Sequence, residues 1–180
     1  MAIPLRFRRT VEDSIVLSLL DVANELGRLG EEVAAKAGLT TQQWLVLLQV
    51  AGDPNFASPK GMATRSRRGI MASEIAHARG VSRANVSALV AQLLRRGLIR
   101  QEEHPDDRRR KHLVVTDAGR KAVASILPSR SEANRNLLAD LSSGERAALL
   151  RALRRCLDRL WLVDQAGGVG KAPPRRPART

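Results

Sequence analysis

Apolar residues recur along the first third of the chain at helical intervals. Ile15, Leu19, Val22, Leu26 and Leu29 follow one another at steps of 4, 3, 4 and 3, which puts them on one face of a helix expected over about residues 11–37. A second helix is expected over 39–50, with Thr40 or Thr41 as its cap. Trp44, Leu45, Leu47, Leu48 and Val50 make it apolar on more than one side, so it belongs at the centre of the core. The pattern then stops. From Gly52 to Gly69, Asp53, Pro54, Asn55, Ser58, Pro59 and Gly61, followed by Arg65, Arg67 and Arg68, read as an irregular basic loop.

Helical spacing resumes in a short helix over about 72–78, ended by Gly80, and in a longer one capped by Ser82 that reaches Arg95 or Arg96. Two strands are expected at 98–103 and 112–116, joined by a polar tip over 104–111 in which Pro105 and two aspartates favour a turn. Thr116 can cap the next helix, expected over 117–141, and a last helix is expected over 144–163. Pro128 predicts a kink or break near Leu127, because proline removes a backbone donor and clashes with the preceding turn. Leu149, Leu153, Cys156, Leu157 and Leu160 form one stripe of the last helix, with Arg151, Arg154, Arg155 and Arg159 mostly elsewhere.

Composition narrows the function more than the fold. The chain has 180 residues, enough for one packed domain, and only 2% aromatics, so its core is mostly aliphatic. Thirty-one basic residues against 18 acidic give a formal charge of +13, which makes a polyanion the leading partner, nucleic acid before membrane surface. Arg6, Arg8 and Arg9 ahead of the apolar run Ile15–Leu20 imitate a secretory leader, but Glu12 and Asp13 interrupt it and Asp21 ends it. No apolar run approaches the roughly 20 residues that span a bilayer. A cytoplasmic protein without membrane partners is expected.

Catalytic chemistry finds little support. There is no phosphate-binding glycine loop, no activated nucleophile and no metal-ligand cluster, so neither an enzyme, a cofactor nor a metal is expected. His104 and His112 could face each other across the hairpin, but two ligands without a nearby cysteine read better as solvated residues. Cys156 lies on an apolar stripe and is expected to be a buried, unreactive thiol.

The informative stretch is 72–116: short helix, glycine turn, second helix, strand pair. In such an arrangement the second helix enters the DNA major groove by its first turn. With Val86, Leu89, Val90, Leu93 and Leu94 on the core side, Arg83, Ala84, Ser87 and Ala88 can point away from the core, and the first turn Ser82, Arg83, Ala84 and Asn85, with Ser87, is the candidate DNA-binding stretch. Small residues permit close approach, while Arg83 and Asn85 can donate to base edges or phosphates. Helices joined by a glycine turn occur in many folds, and a charge run is usually a solvated loop. The run Asp107, Arg108, Arg109, Arg110 and Lys111 at a hairpin tip beside this helix nevertheless suits a narrow, negative minor groove.

Residues 73–121 resemble the MarR family of bacterial regulators. The likeness is carried by Glu74-Ile75-Ala76, Val81-Ser82, Gly97-Leu98-Ile99, Asp107 with Arg109, and Thr116 with Gly119, and extends more weakly over about 11–163. It implies a mainly α fold: a winged helix-turn-helix domain with a two-stranded β wing, plus N- and C-terminal helices forming a dimerisation region. On that division, 1–10 is an arm, 11–52 and 117–163 are dimerisation helices, 70–116 binds DNA and 164–180 is a disordered basic tail.

The resemblance further implies a triangular homodimer on double-stranded DNA with a pseudo-palindromic operator. Arg109 would enter the minor groove, with Asp107 holding its guanidinium. Ile15, Leu19, Val22 and Leu26 with Leu149, Leu153, Leu157 and Leu160 would form the dimer surfaces. A repressor relieved by a small aromatic or phenolic effector is expected, with Trp44 a candidate for the pocket, although an apolar helical tryptophan is more often core. The chain departs from the family in its longer basic loop at 53–68, in Pro128, in the basic tail, and in Met71 where a Ser or Thr cap is usual, which leaves Ser73 as the nearest cap. Two other functions stay open: a sequence-non-specific nucleic-acid-binding or architectural protein, and a ligand carrier or small enzyme borrowing the fold.

Overall fold

A computed structural model of the chain describes residues 8–56, 69–104 and 107–165, the side chains of 104, 107–110, 161, 164 and 165 aside. Most of the basic loop, the hairpin tip and the tail beyond 165 therefore lie outside the described residues. The described elements are α1 (Val11–Ala35), α2 (Thr41–Ala51), α3 (Ala72–Arg79), α4 (Arg83–Arg95), β1 (Ile99–His104), β2 (Asp107–Val115), α5 (Asp117–Leu137) and α6 (Ser143–Gln165). The fold is mainly helical with one antiparallel strand pair.

The chain divides into two compact units. The first, residues 1–53 and 65–130, holds α1 to α4, the strand pair and α5 as far as Arg130. Its core is aliphatic, as the composition demands: Leu47, Ile75, Leu93, Ile99, Leu113, Ile126, Val46 and Val86 are all but inaccessible to solvent. Seven of the eleven residues of α2 are buried, so the helix expected to be central is central. Thr40 begins it with a capping box: its hydroxyl accepts from the Gln43 N–H at 3.2 Å, and Gln43 returns a bond to the Thr40 N–H at 3.0 Å. Gln43 also donates to the Gln92 side-chain oxygen at 2.5 Å, a polar tie from α2 to α4.

Two arginines fasten the edges of this unit. Arg96, at the end of α4, donates to the carbonyls of Gly38 and Ala37 at 2.7 and 3.2 Å and so pins the α1–α2 turn. Arg130 pairs with Asp53, 77 residues away; their side chains are only 19% and 8% exposed, so water screens the pair little. In the second unit, Ser142 caps α6: its hydroxyl accepts from the Glu145 N–H at 3.3 Å, and the Glu145 carboxylate accepts from the Ser142 N–H at 2.8 Å.

Pro128 neither ends nor divides α5, which continues to Leu137, short of the expected 141. The turns on either side of the proline carry the helix across the one backbone donor it lacks. The strand pair departs further from expectation. β2 begins at Asp107, not at 112, and its register pairs Glu103 with Lys111 and His104 with Asp107 across an irregularity at Glu103/His104. The charged run 107–111, read as loop, is thus assigned to strand, with Asp107 and Lys111 in register with β1.

Candidate nucleic-acid interface

The turn between α3 and α4 is built by a residue that tolerates a left-handed backbone. Gly80 has φ +61°, and its N–H together with that of Val81 bonds back onto the last turn of α3, the latter at 3.1 Å to the Ala76 carbonyl. Ser82 then caps α4 by accepting from the Asn85 N–H at 3.2 Å. α3 itself begins without a side-chain acceptor at Met71. Glu74 supplies half a capping box by accepting from the Met71 N–H at 2.7 Å, so Ser73 is not the cap.

α4 buries Val86, Val90 and Leu93. The expected reading residues Ser82, Arg83, Ala84, Asn85 and Ser87 are all exposed, as is Ala88. Opposite the buried stripe, Ala84, Ala88, Ala91 and Arg95 follow at steps of 4, 3 and 4, with Ala91 half-buried and the other three exposed. Arg95 shares this face although the sequence reading did not include it among the candidates; the spacing is the signal that places it there.

The wing is fixed at its base. The Thr116 N–H bonds the Leu98 carbonyl at 3.1 Å, and the Thr116 hydroxyl donates to the Gly97 carbonyl at 2.6 Å and accepts from the Gly119 N–H at 3.1 Å. A side chain at Gly119 would collide with the Leu98 carbonyl oxygen, so α5 docks against the wing root only through glycine. Ile70 adds a bridge to Leu113, with bonds of 2.8 and 3.3 Å, a contact the sequence did not suggest.

Asp107, Arg108, Arg109 and Arg110 are placed on β2 by backbone, while their side chains lie outside the described residues; Lys111 is exposed. The register sets His112 opposite Glu102, and His112 is buried, so the two histidines are neither cross-strand partners nor both solvated. On β1, Arg100 is drawn to Glu102 at 2.5 Å, so the cationic character of the hairpin belongs to β2.

The apolar stripes of the outer helices are uncovered in the single chain. On α1, Ile15, Leu19, Val22 and Leu26 are exposed, Ile15 at 53%; on α6, Leu149, Leu157 and Leu160 are exposed, Leu160 at 63%, and Leu153 is half-buried. Cys156 is exposed with them, contrary to the expected buried thiol. Trp44 is buried, and its indole N–H has no hydrogen-bond partner among the described residues. Arg79 donates to the Gln42 side-chain oxygen at 2.6 Å, and burial lowers its guanidinium pKa. No helix among the described residues is long and apolar enough to cross a membrane, and none of their His, Cys, Asp and Glu side chains group as a metal site would require.

Two helices around a glycine turn, an exposed second helix and a β hairpin define a winged helix-turn-helix protein. Residues 37–110 match the model of the MarR family. The chain is 32% identical over 111 residues to the transcriptional repressor MprA of Escherichia coli K12, a stretch covering 62% of this chain and 63% of MprA, under two thirds of that protein's length. It is 31% identical over 152 residues to the uncharacterized protein Mb2034c of Mycobacterium bovis, covering 84% of this chain and 93% of that one. Among solved structures, the S. aureus MepR–DNA complex superposes with a TM-score of 0.68 at 20% identity, over 84% of this chain and 99% of MepR, a likeness of fold. The chain belongs to the MarR family.

Proposed function

We propose that the protein is a homodimeric, sequence-specific DNA-binding transcriptional regulator, acting in the cytoplasm as a repressor. The observation that carries the DNA reading is the outward face of α4, where Ser82, Arg83, Ala84, Asn85 and Ser87 stand clear of the core on a capped, rigid helix. Arg83 and Asn85 supply donors for base edges or phosphates, and Ala84 and Ser87 let the helix come close. The wing would extend the grip: Asp107 orients Arg109 for the minor groove, with Arg108, Arg110 and Lys111 toward phosphates. Arg95, in the last turn of α4, is a further phosphate contact on the same face. A net charge of +13 speeds encounter with DNA of any sequence and does not choose among sequences.

Dimerisation is supported by the exposed apolar residues of α1 and, separately, those of α6, since extensive apolar exposure on a folded chain marks an interface. Ile15, Leu19, Val22, Leu26, Leu149, Leu153, Leu157 and Leu160 would meet their counterparts in a second copy. Two recognition helices related by a two-fold axis would then read two half-sites about one helical turn apart. A small aromatic or phenolic effector fits Trp44, whose buried N–H carries an unmet desolvation penalty that a ligand oxygen would relieve.

Selection of bound duplexes from a random pool at near-physiological salt tests the reading. A two-fold symmetric winner, bound roughly a thousandfold more tightly than its shuffled sequence, is expected. Equal affinity for all sequences, collapsing as salt rises, would instead make the protein a non-specific coating or architectural protein.

A further inference from the structure

We infer that the centre of each half-site is read through thymine methyl groups, with Ala84 and Ala88 as the specificity-determining residues; this rests on the DNA reading proposed above. Burial decides which part of α4 faces farthest from the core. The buried stripe Val86, Val90 and Leu93 fixes the helix's rotation, and the stripe opposite it is Ala84, Ala88, Ala91 and Arg95. The polar groups lie to either side: Arg83 and Ser87 on one flank, Asn85 on the other. A helix laid in the major groove turns its outermost stripe to the groove floor and its flanks toward the edges and walls.

That stripe presents methyl groups and no donor or acceptor until Arg95. It cannot satisfy the N7, O6, N6 or N4 groups of the other bases, and burying those groups unpaired is unfavourable. The one apolar group on the groove floor is the C5-methyl of thymine, on which an alanine methyl packs without losing a hydrogen bond. The short side chains of Ala84 and Ala88 let the helix approach until the methyls touch. Arg83 and Asn85 then read guanine or adenine beside these thymines, so hydrogen bonding specifies the edges of the half-site and methyl packing its middle.

Replacing single thymines of the selected operator by deoxyuridine tests this, because only the methyl is lost and pairing is retained. At the thymines beneath α4 affinity should fall about fourfold per methyl, the ratio expected for one buried carbon, and elsewhere it should not change. In Ala88→Ser, an exposed substitution that leaves the core untouched, one of these ratios should fall to about one. A selected operator without thymines at the centre of its half-sites, or one whose thymines all tolerate deoxyuridine, overturns the inference while the regulator reading stands. Failure of the random pool to yield any operator removes that reading itself, so the two failures are distinct.

Discussion

α4 and α6 are amphipathic helices of one chain with opposite fates for their apolar faces. α4 buries Val86, Val90 and Leu93 within its own unit and turns small and polar residues outward. α6 leaves Leu149, Leu150, Leu157 and Leu160 exposed, and none of its described residues is buried. The first is finished as a monomer and offers a surface suited to a hydrated, charged groove. The second is unfinished: leucine exposed on this scale gains free energy only when another apolar face covers it. The contrast is what the proposed function asks of the two helices, reading by α4 and pairing by α6.

The largest expected effect comes from denying α6 its cover. Leu157→Glu with Leu160→Glu should convert the dimer to monomer in sedimentation and weaken operator binding at least about a hundredfold, since each half-site alone retains a fraction of the contacts. The circular dichroism of the folded chain should remain. A dimer that survives both glutamates would break the comparison.

A paired truncation sharpens it. Leu93→Ala should cost about 3 kcal/mol in chemical denaturation whatever the protein concentration, because it opens a cavity in a filled core. Leu160→Ala should cost less than about 0.5 kcal/mol in a protein dilute enough to be monomeric, as surface substitutions do, and more once the chains pair. Equal, concentration-independent losses would mean that α6 is covered within its own chain.

The smallest effect belongs to the start of α6. The hydrogen bond from the Ser142 hydroxyl, then that from its N–H, lowers the Glu145 pKa below the usual carboxylate range. The folded value therefore lies under the unfolded one. The stabilisation is present above the ordinary glutamate pKa and fades as pH falls through the folded value. Amide exchange in the first turn of α6 should quicken on acidification through that window, and Ser142→Ala should shift the change to higher pH. A first turn whose exchange is indifferent to acidification below the ordinary glutamate pKa would contradict this role for the cap.

Most of the fold was legible because helices announce themselves locally. The steps of 3 and 4 along α1, the Thr40 and Ser82 caps and the Gly80 turn all act within a few residues, and each stands where the sequence suggested. Elements made by distant partners were harder to see. β2 begins five residues earlier than expected: Asp107 pairs with His104 and Lys111 with Glu103 across an irregularity, so the charged run enters the strand through a partner that its own composition does not announce. The Arg130–Asp53 pair and the Ile70–Leu113 bridge span 77 and 43 residues and leave no local trace. For Cys156 the error was one of reference: an apolar stripe shows what a helix would bury, not whether its own chain supplies the cover. The first turn of α4 is exposed, as its sequence suggested, and Arg95, three turns along, shares the outward face but lies beyond the motif.

On the proposed reading, two copies of the chain grip two half-sites of one duplex. Footprinting the selected operator, with the protein–DNA stoichiometry measured by sedimentation on the same duplex, tests it most directly. Two chains per duplex and two protected major-groove segments about 10 base pairs apart, related by two-fold symmetry, are the predicted result. Protection that spreads evenly along the duplex as protein is added, with no fixed stoichiometry, would contradict it.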